Sequence, residues 1–185
     1  MAVLPILTVP HPLLEQKARP VRDDEFGPEL HKRMQDMAET MYAAPGVGLA
    51  GPQIGDLRCI LCVDVTEERD DDGRREKAKD LRFICNPVVI EASKDLFLWE
   101  EGCLSIPEFW EFLERPRVVT IRYKDALGVE HTETFSDYPS IIVQHEMDHL
   151  TGEVILNKVS RLKRSRYLKK VKKWAKQAQA QAQLV

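Results

Sequence analysis

The apolar positions of the chain repeat with helical spacing in three stretches. The stretch from Pro28 to Ala44 is predicted to be a helix, because its apolar residues recur every three or four positions: Leu30, Met34, Met37 and Met41. Pro28 suits a first turn, and the Pro-Gly pair at 45–46 ends the helix. Helices are also predicted from Tyr138 to Leu150, with Ser140 as its cap or first-turn residue, and from about 160 to 179.

Strands are predicted where apolar runs or period-two alternation replace the helical spacing. They cover residues 58–65, 81–90 (interrupted by the Asn-Pro pair at 86–87), 117–123 and 129–135. Segment 46–53 is rich in glycine and is predicted to be a loop. The charged segment 67–80 is predicted to be an exposed hairpin tip or loop. This order of elements predicts an α+β fold, with mixed or antiparallel sheets around a central helix between an N-terminal and a C-terminal helix.

Length and composition are typical of one domain spanning 1–185. The chain has 185 residues and is 43% hydrophobic, enough for one core. It contains neither the run of about 20 apolar residues of a membrane helix nor the features of a secretory signal, so we expect a cytoplasmic protein. The four cysteines (59, 62, 85 and 103) are expected to be free thiols. The pair at 59 and 62 would point to opposite faces of a strand, which argues against a metal knuckle.

The net charge of −3 conceals a strongly basic C-terminus. Residues 154–185 hold ten Lys or Arg and no acidic residue, whereas the rest of the chain holds 17 basic and 30 acidic residues. One interpretation of 160–185 is a solvated amphipathic helix and tail that packs on the body. The other is a surface that binds a polyanion.

The pentapeptide His145-Glu146-Met147-Asp148-His149 is the strongest local signal for chemistry. Histidines four positions apart lie on one face of a helix, so both rings can reach one metal ion, and the adjacent glutamate can approach a metal-bound water. The apolar residues before it, 141–143, indicate a buried helix, where two histidines and a glutamate are costly unless paired or ligated. Cys103 is a better third ligand than Glu153, whose spacing fits neither of two common classes of zinc hydrolase.

Three blocks of the sequence resemble the peptide deformylases. They are GVGLAGPQ at 46–53, EGCLS at 101–105 and QHEMDHL at 144–150, and the Asn-Pro pair at 86–87 also matches. The resemblance extends from about Leu4 to about Leu162. It implies metal-dependent hydrolysis of the N-formyl group from the formylmethionine of nascent polypeptides, with release of formate, around a central metal-binding helix.

The resemblance also implies a role for each site residue. Cys103, His145 and His149 are the implied ligands of one divalent ion, natively Fe²⁺, with Zn²⁺, Ni²⁺ or Co²⁺ possible in preparations. Glu146 is implied to move the proton of the attacking water, while the side-chain amide of Gln53 and the backbone N–H of Leu104 stabilise the developing negative charge.

Other residues are implied to bind the peptide. Gly48 and Gly102 are implied to pair with its main chain, as an added strand would. The implied lining of the methionine pocket is apolar apart from the ring of His145, and comprises Val47, Trp99, Tyr138, Ile141 and Ile142. An ion pair between Glu101 and Arg115 is implied to brace the Cys103 segment.

One departure from the family pattern bears on specificity. Phe109 and Trp110 occupy a stretch where bacterial relatives often have a polar or basic residue, so we hypothesise that Trp110 contacts the second or third residue of the substrate.

The resemblance also suggests that the basic C-terminal helix binds the ribosome near the exit tunnel, and nothing suggests a membrane partner. Two alternatives stay open at this point. One is an endopeptidase of the H-E-x-x-H type, and the other is an RNA- or ribosome-binding protein with a structural metal.

Overall fold

The structure, a computed structural model, describes residues 3–66 and 80–182, with side chains as far as Gln177. In this part of the chain the helices are α1 Pro28–Ala43, α2 Asp137–Leu150 and α3 Arg161–Ala182. The strands are β1 Gly48–Ala50, β2 Ile60–Asp64, β3 Leu81–Ala92, β4 Leu96–Cys103, β5 Ile106–Pro116, β6 Val118–Lys124 and β7 Glu130–Ser136.

The strands form two separate antiparallel sheets. Five strands are arranged in the order β1-β2-β3-β6-β7, and β4 pairs with β5 as a two-stranded hairpin. Helix α2 contacts strands of both sheets, so its residues lie between them. The α+β prediction with a central helix is therefore confirmed, and all pairings between the named strands are antiparallel.

The predicted helices and all four predicted strands are present, with ends shifted by a few residues at most. The glycine-rich segment differs from the prediction, because β1 and a 3-10 turn at Gly51–Ile54 replace a simple loop. Strands β4 and β5 were not predicted, and the regular alternation of β5 is broken by charged residues at 108, 111 and 114. Ser140 lies in the first turn of α2, and Ser136 is the cap residue. Most of the predicted charged excursion, 67–79, lies outside the described residues.

The apolar periodicity of α1 faces the core, as predicted. Met34, Met37 and Met41 are completely buried against β2 and neighbouring residues. Cys59 and Cys62 belong to two different apolar clusters, in agreement with the opposite faces expected of them, and all four cysteines are free thiols. None of the described helices combines the length and the apolar character needed to cross a membrane.

Asn86 ties the N-terminal segment to the five-stranded sheet. It lies in β3 at a bulge where the pairing with β6 slips, and its φ of 52° is in the left-handed region. Its side-chain oxygen accepts a hydrogen bond from Val21 N at 2.8 Å, and its Nδ2 donates to Val21 O at 2.9 Å. Asparagine suits this position because it tolerates left-handed backbone better than most residues.

We expect Asn86→Ala to lower the free energy of unfolding by about 2–3 kcal/mol, because two hydrogen bonds are lost and alanine disfavours left-handed backbone. Asn86→Gly should lower the free energy of unfolding by less, since glycine adopts left-handed backbone freely. Urea denaturation followed by circular dichroism measures both variants. A smaller loss for the alanine variant than for the glycine variant would contradict this account.

Candidate metal centre

Three predicted metal ligands converge where the hairpin meets α2. Cys103 is the last residue of β4, and His145 and His149 lie one turn apart on α2. The ligand atoms of all three lie within 4.8 Å of one another, and Cys103 Sγ is 3.3 Å from His149 Nε2. The segment holding Cys103 was expected to be irregular. It is instead the end of a strand, next to a large slip in the β4–β5 pairing.

The chemistry of this donor set fits a divalent metal ion. One thiol and two imidazoles are ligands that several transition metals accept, and three protein ligands leave a position open for water or substrate. His145 and His149 are both buried. Burial lowers the pKa of His149 well below its usual value, so this ring is kept in the neutral form that a metal requires.

A buried network of charges orients the first histidine. His145 Nδ1 lies 2.7 Å from Glu101 Oε2, which leaves Nε2 of the ring for an ion. Arg115 donates two hydrogen bonds to Glu101, at 2.6 and 2.9 Å, and its Nη1 lies 2.8 Å from Asp148 Oδ2. Burial raises the pKa of Glu101, but the hydrogen bonds from His145 and Arg115 outweigh it and leave that pKa below its ordinary value.

The Glu101–Arg115 ion pair was expected, but the part played by Asp148 was missed. No spacing rule singles out this aspartate, because its partner Arg115 is 33 positions away in the sequence.

Glu146 lies beside the three ligands with a free carboxylate oxygen. The residue is 4% exposed, and its Oε2 has no hydrogen-bond partner among the described residues. Burial raises the pKa of the Glu146 carboxyl to about 7. The carboxylate fits because residue 48 is glycine, since a Cβ atom there would collide with it. A buried oxygen without a partner is what a water-activating group requires.

Gln53 is held so that its amide nitrogen faces the metal ligands. It is 1% exposed, and its Oε1 accepts a hydrogen bond from Ala50 N at 2.7 Å. Its Nε2 donates to Ser105 Oγ at 3.2 Å and lies 3.7 Å from Cys103 Sγ. Ser105 is completely buried and was not singled out from the sequence as an individual site residue, although it belongs to the EGCLS block.

A cleft of about 540 Å³ opens onto these groups. It is lined by Gln53, Leu104, Glu146 and each of the residues expected to bind substrate: Val47, Gly48, Trp99, Gly102, Trp110, Tyr138, Ile141 and Ile142. Trp99 packs on Tyr138 with ring centroids 5.0 Å apart. The lining also includes Glu100, Ile106 and Glu108, to which the sequence had assigned no role.

Comparisons with known proteins agree with this geometry. Residues 3–165 match the family model described as polypeptide deformylase. A peptide deformylase of Phenylobacterium zucineum is 43% identical over 178 residues, which cover 96% of this chain and 100% of the relative. The crystal structure of a peptide deformylase from Ehrlichia chaffeensis superimposes with a TM-score of 0.86 at 33% identity, covering 96% of this chain and 99% of that one. The crystal structure of a peptide deformylase from Legionella pneumophila superimposes with a TM-score of 0.82 at 33% identity, covering 97% of this chain and 98% of that one.

We expect Cys103→Ser to lose most of the bound metal, because a neutral hydroxyl replaces the thiolate ligand. The matched control is Cys59→Ser, which changes a cysteine outside the group of three ligands and should bind metal like the unmodified chain. Elemental analysis of the anaerobically purified variants measures the amount of metal bound per chain. Added metal should also raise the unfolding temperature of the control but not of the Cys103 variant, because a ligand of the folded state stabilises it. Equal metal content in the two variants would contradict the assignment.

Proposed function

The chain belongs to the polypeptide deformylase family, and we propose how its own residues perform the reaction of that family. The activity is metal-dependent hydrolysis that removes the N-formyl group from nascent polypeptides. The observation that carries the proposal is the convergence of Cys103, His145 and His149 beside the buried carboxylate of Glu146.

Cys103, His145 and His149 would hold one divalent ion. When bound, the ion supplies Lewis acidity, which lowers the pKa of a water molecule and polarises the formyl oxygen. We propose Fe²⁺ as the native metal, with Zn²⁺, Ni²⁺ or Co²⁺ accepted by the same ligands. Glu101 orients His145 through their 2.7 Å hydrogen bond, so the ring does not rotate away from the centre.

Glu146 is the proton carrier in this proposal. Its Oε2 is buried and without a partner among the described residues, so it is available to accept the proton of the attacking water. The same carboxyl then donates that proton to the leaving amine of methionine. The raised pKa of Glu146, about 7, suits a group that must both take and give a proton near neutral pH.

Gln53 and Leu104 are the proposed donors to the formyl oxygen as negative charge develops on it. The amide of Gln53 is fixed because its Oε1 accepts a hydrogen bond from Ala50 N and its Nε2 donates one to Ser105 Oγ, so little reorganisation is needed during the reaction. Leu104 follows Cys103 directly and lines the same cleft, which brings its backbone N–H near the centre.

The apolar part of the cleft is the proposed methionine pocket. Its lining comprises Val47, Trp99, Tyr138, Ile141 and Ile142. Gly48 and Gly102 are proposed to pair with the main chain of the substrate, which would make binding tolerant of sequence beyond methionine. Trp110, which is 66% exposed, is proposed to contact the second or third substrate residue.

The endopeptidase alternative is disfavoured by the third ligand. A sulfur from β4, rather than a carboxylate or histidine downstream of α2, completes the cluster found among the described residues. A binding protein with a purely structural metal would leave the buried Glu146 without a role.

We expect the anaerobically purified chain to release formate from formyl-Met-Ala-Ser, and Glu146→Gln to lower kcat by about 10²–10⁴-fold, because the glutamine cannot accept a proton. The metal content of the variant should equal that of the unmodified chain, since Glu146 is not among the proposed ligands. A glutamine variant that keeps its kcat would contradict the proton-carrier role. Cleavage of casein without release of formate would favour the endopeptidase.

We further propose that α3 binds the ribosome in the cytoplasm near the exit tunnel, through its outward face. Three cations of the helix form ion pairs with the rest of the protein. Lys163 pairs with Glu111, and Lys170 pairs with Glu108. Arg164 lies 3.6 Å from Glu15. The exposed cations for which no ion pair is found among the described residues are Arg161, Arg166, Lys169, Lys172, Lys173 and Lys176. A row of such charges is suited to a phosphate backbone.

Changing Arg166, Lys169 and Lys173 together to glutamine should weaken co-sedimentation with ribosomes at low salt and reduce the dependence of binding on salt. The physical reason is that each phosphate contact contributes about 0.7–0.9 to the slope of log affinity against log salt.

The matched control neutralises three exposed cations of the body, Lys17, Lys94 and Arg122, and should bind as the unmodified chain does. If both triple variants sediment alike, the outward face of α3 is not the binding surface.

A further inference from the structure

The rim of the cleft contains three residues that have no partner on the neighbouring strand. In the β4–β5 hairpin Gly102 pairs with Trp110, but the next residue, Cys103, pairs with Ile106. Residues 107–109 of β5 therefore have no counterpart on β4, and we call them the rim bulge. Within it Glu108 has a φ of 56°, which a residue other than glycine adopts only when its surroundings impose it.

Helix α3 contacts every residue of the rim bulge. Tyr167 Oη donates a hydrogen bond to Pro107 O at 2.8 Å, and the ring of Tyr167 packs on Phe109 with centroids 5.1 Å apart. Lys170 Nζ lies 2.8 Å from Glu108 Oε2. Tyr167 is only 5% exposed, and its hydroxyl donates to a backbone carbonyl in the part of β5 that has no register partner on β4.

The rim bulge lies directly before the residue that faces the substrate groove. Trp110 covers Gly102 so closely that a Cβ atom on that glycine would lie 2.5 Å from the indole ring. Glu108, Phe109 and Trp110 all line the cleft. The conformation of the bulge therefore sets the position of the indole over the edge of β4.

We propose that Tyr167 and Lys170 of α3 are positioning residues, which hold the rim bulge so that Trp110 is presented to the third residue of the formyl peptide. The proposal rests on the function given above and on its placement of Trp110. The hydrogen bonds of Tyr167 and Lys170 go to the rim bulge and not to the three ligands, although Tyr167 shares an apolar cluster with Cys103. We therefore expect both residues to act mainly on the binding of substrate. They should matter only for substrates long enough to reach the rim.

The test compares Tyr167→Phe with the unmodified metal-loaded enzyme on a short and a longer substrate, formyl-Met-Ala and formyl-Met-Ala-Ser. The phenylalanine keeps the ring contact with Phe109 and removes only the hydrogen bond to Pro107 O. We expect KM for the longer peptide to rise about three- to tenfold, the effect of losing one buried hydrogen bond, with kcat retained and KM for the short peptide unchanged. Lys170→Met should show the same pattern more weakly, because its ion pair is exposed.

The matched control is Arg164→Met, which removes an ion pair of the same helix to Glu15, a residue outside the cleft lining. It should leave both KM values unchanged. A second arm combines Tyr167→Phe with Trp110→Ala. If Tyr167 acts through Trp110, the double variant should be no worse than Trp110→Ala alone.

Three outcomes would overturn the proposal: no change in KM for the longer peptide, an equal change for both peptides, or additive effects in the double variant. If Tyr167→Phe is too unstable to assay, Lys170→Met decides by the same criteria. Formate release from either peptide by the unmodified chain tests the proposed function, and that result does not depend on Tyr167.

Discussion

The buried guanidinium of Arg115 holds the two halves of the site together. It lies on β5, and it binds Glu101 of β4 with two hydrogen bonds while its Nη1 contacts Asp148 of α2. The hairpin is not part of the five-stranded sheet, so the hydrogen bonds of that sheet cannot fix its position. Taking Arg115 away would leave the carboxylate of Glu101 without its guanidinium partner in a poorly hydrated interior, which is far more costly than losing a surface ion pair. Asp148 would lose less, because it is only half-buried and keeps its ion pair with Lys158. The relative placement of Cys103 and the two histidines depends on this interaction.

The same arrangement gives two buried carboxylates different environments, one suited to a structural anion and the other to the proposed proton carrier. Glu101 receives hydrogen bonds from Arg115 and His145, and its pKa is held below the ordinary value in spite of burial. Glu146 is equally buried, but burial raises its pKa to about 7, and its Oε2 has no partner among the described residues. Environment, rather than residue type, therefore separates their roles. Gly48 also contributes to the environment of Glu146, because only a residue without a side chain leaves room for its carboxylate.

The sequence predicted those parts of the site whose geometry is local. Histidines four residues apart on a helix must share a face, so the pair on α2 followed from spacing alone. Cys103 is a long-range ligand and was reached by rejecting Glu153 and by resemblance. Strand β5 was missed because charged residues interrupt its alternation, and two of them turn out to pair with α3: Glu108 with Lys170 and Glu111 with Lys163. The rim bulge could not be predicted from the sequence either. A slip in register depends on which residues of two strands pair, and this pairing leaves no local pattern in the sequence.

The basic composition of α3 has two physical causes that the sequence alone does not separate. One set of cations faces the acidic body and pairs with it, and these exposed ion pairs weaken as salt screens them. The hydrogen bond from Tyr167 to Pro107 O and the apolar contacts of Leu168 and Val171 are much less sensitive to salt. These contacts would keep the helix docked on the rim if its outward cations bind phosphates, as proposed. In these two proposals the buried tyrosine lets one helix support the cleft and present a basic surface at the same time.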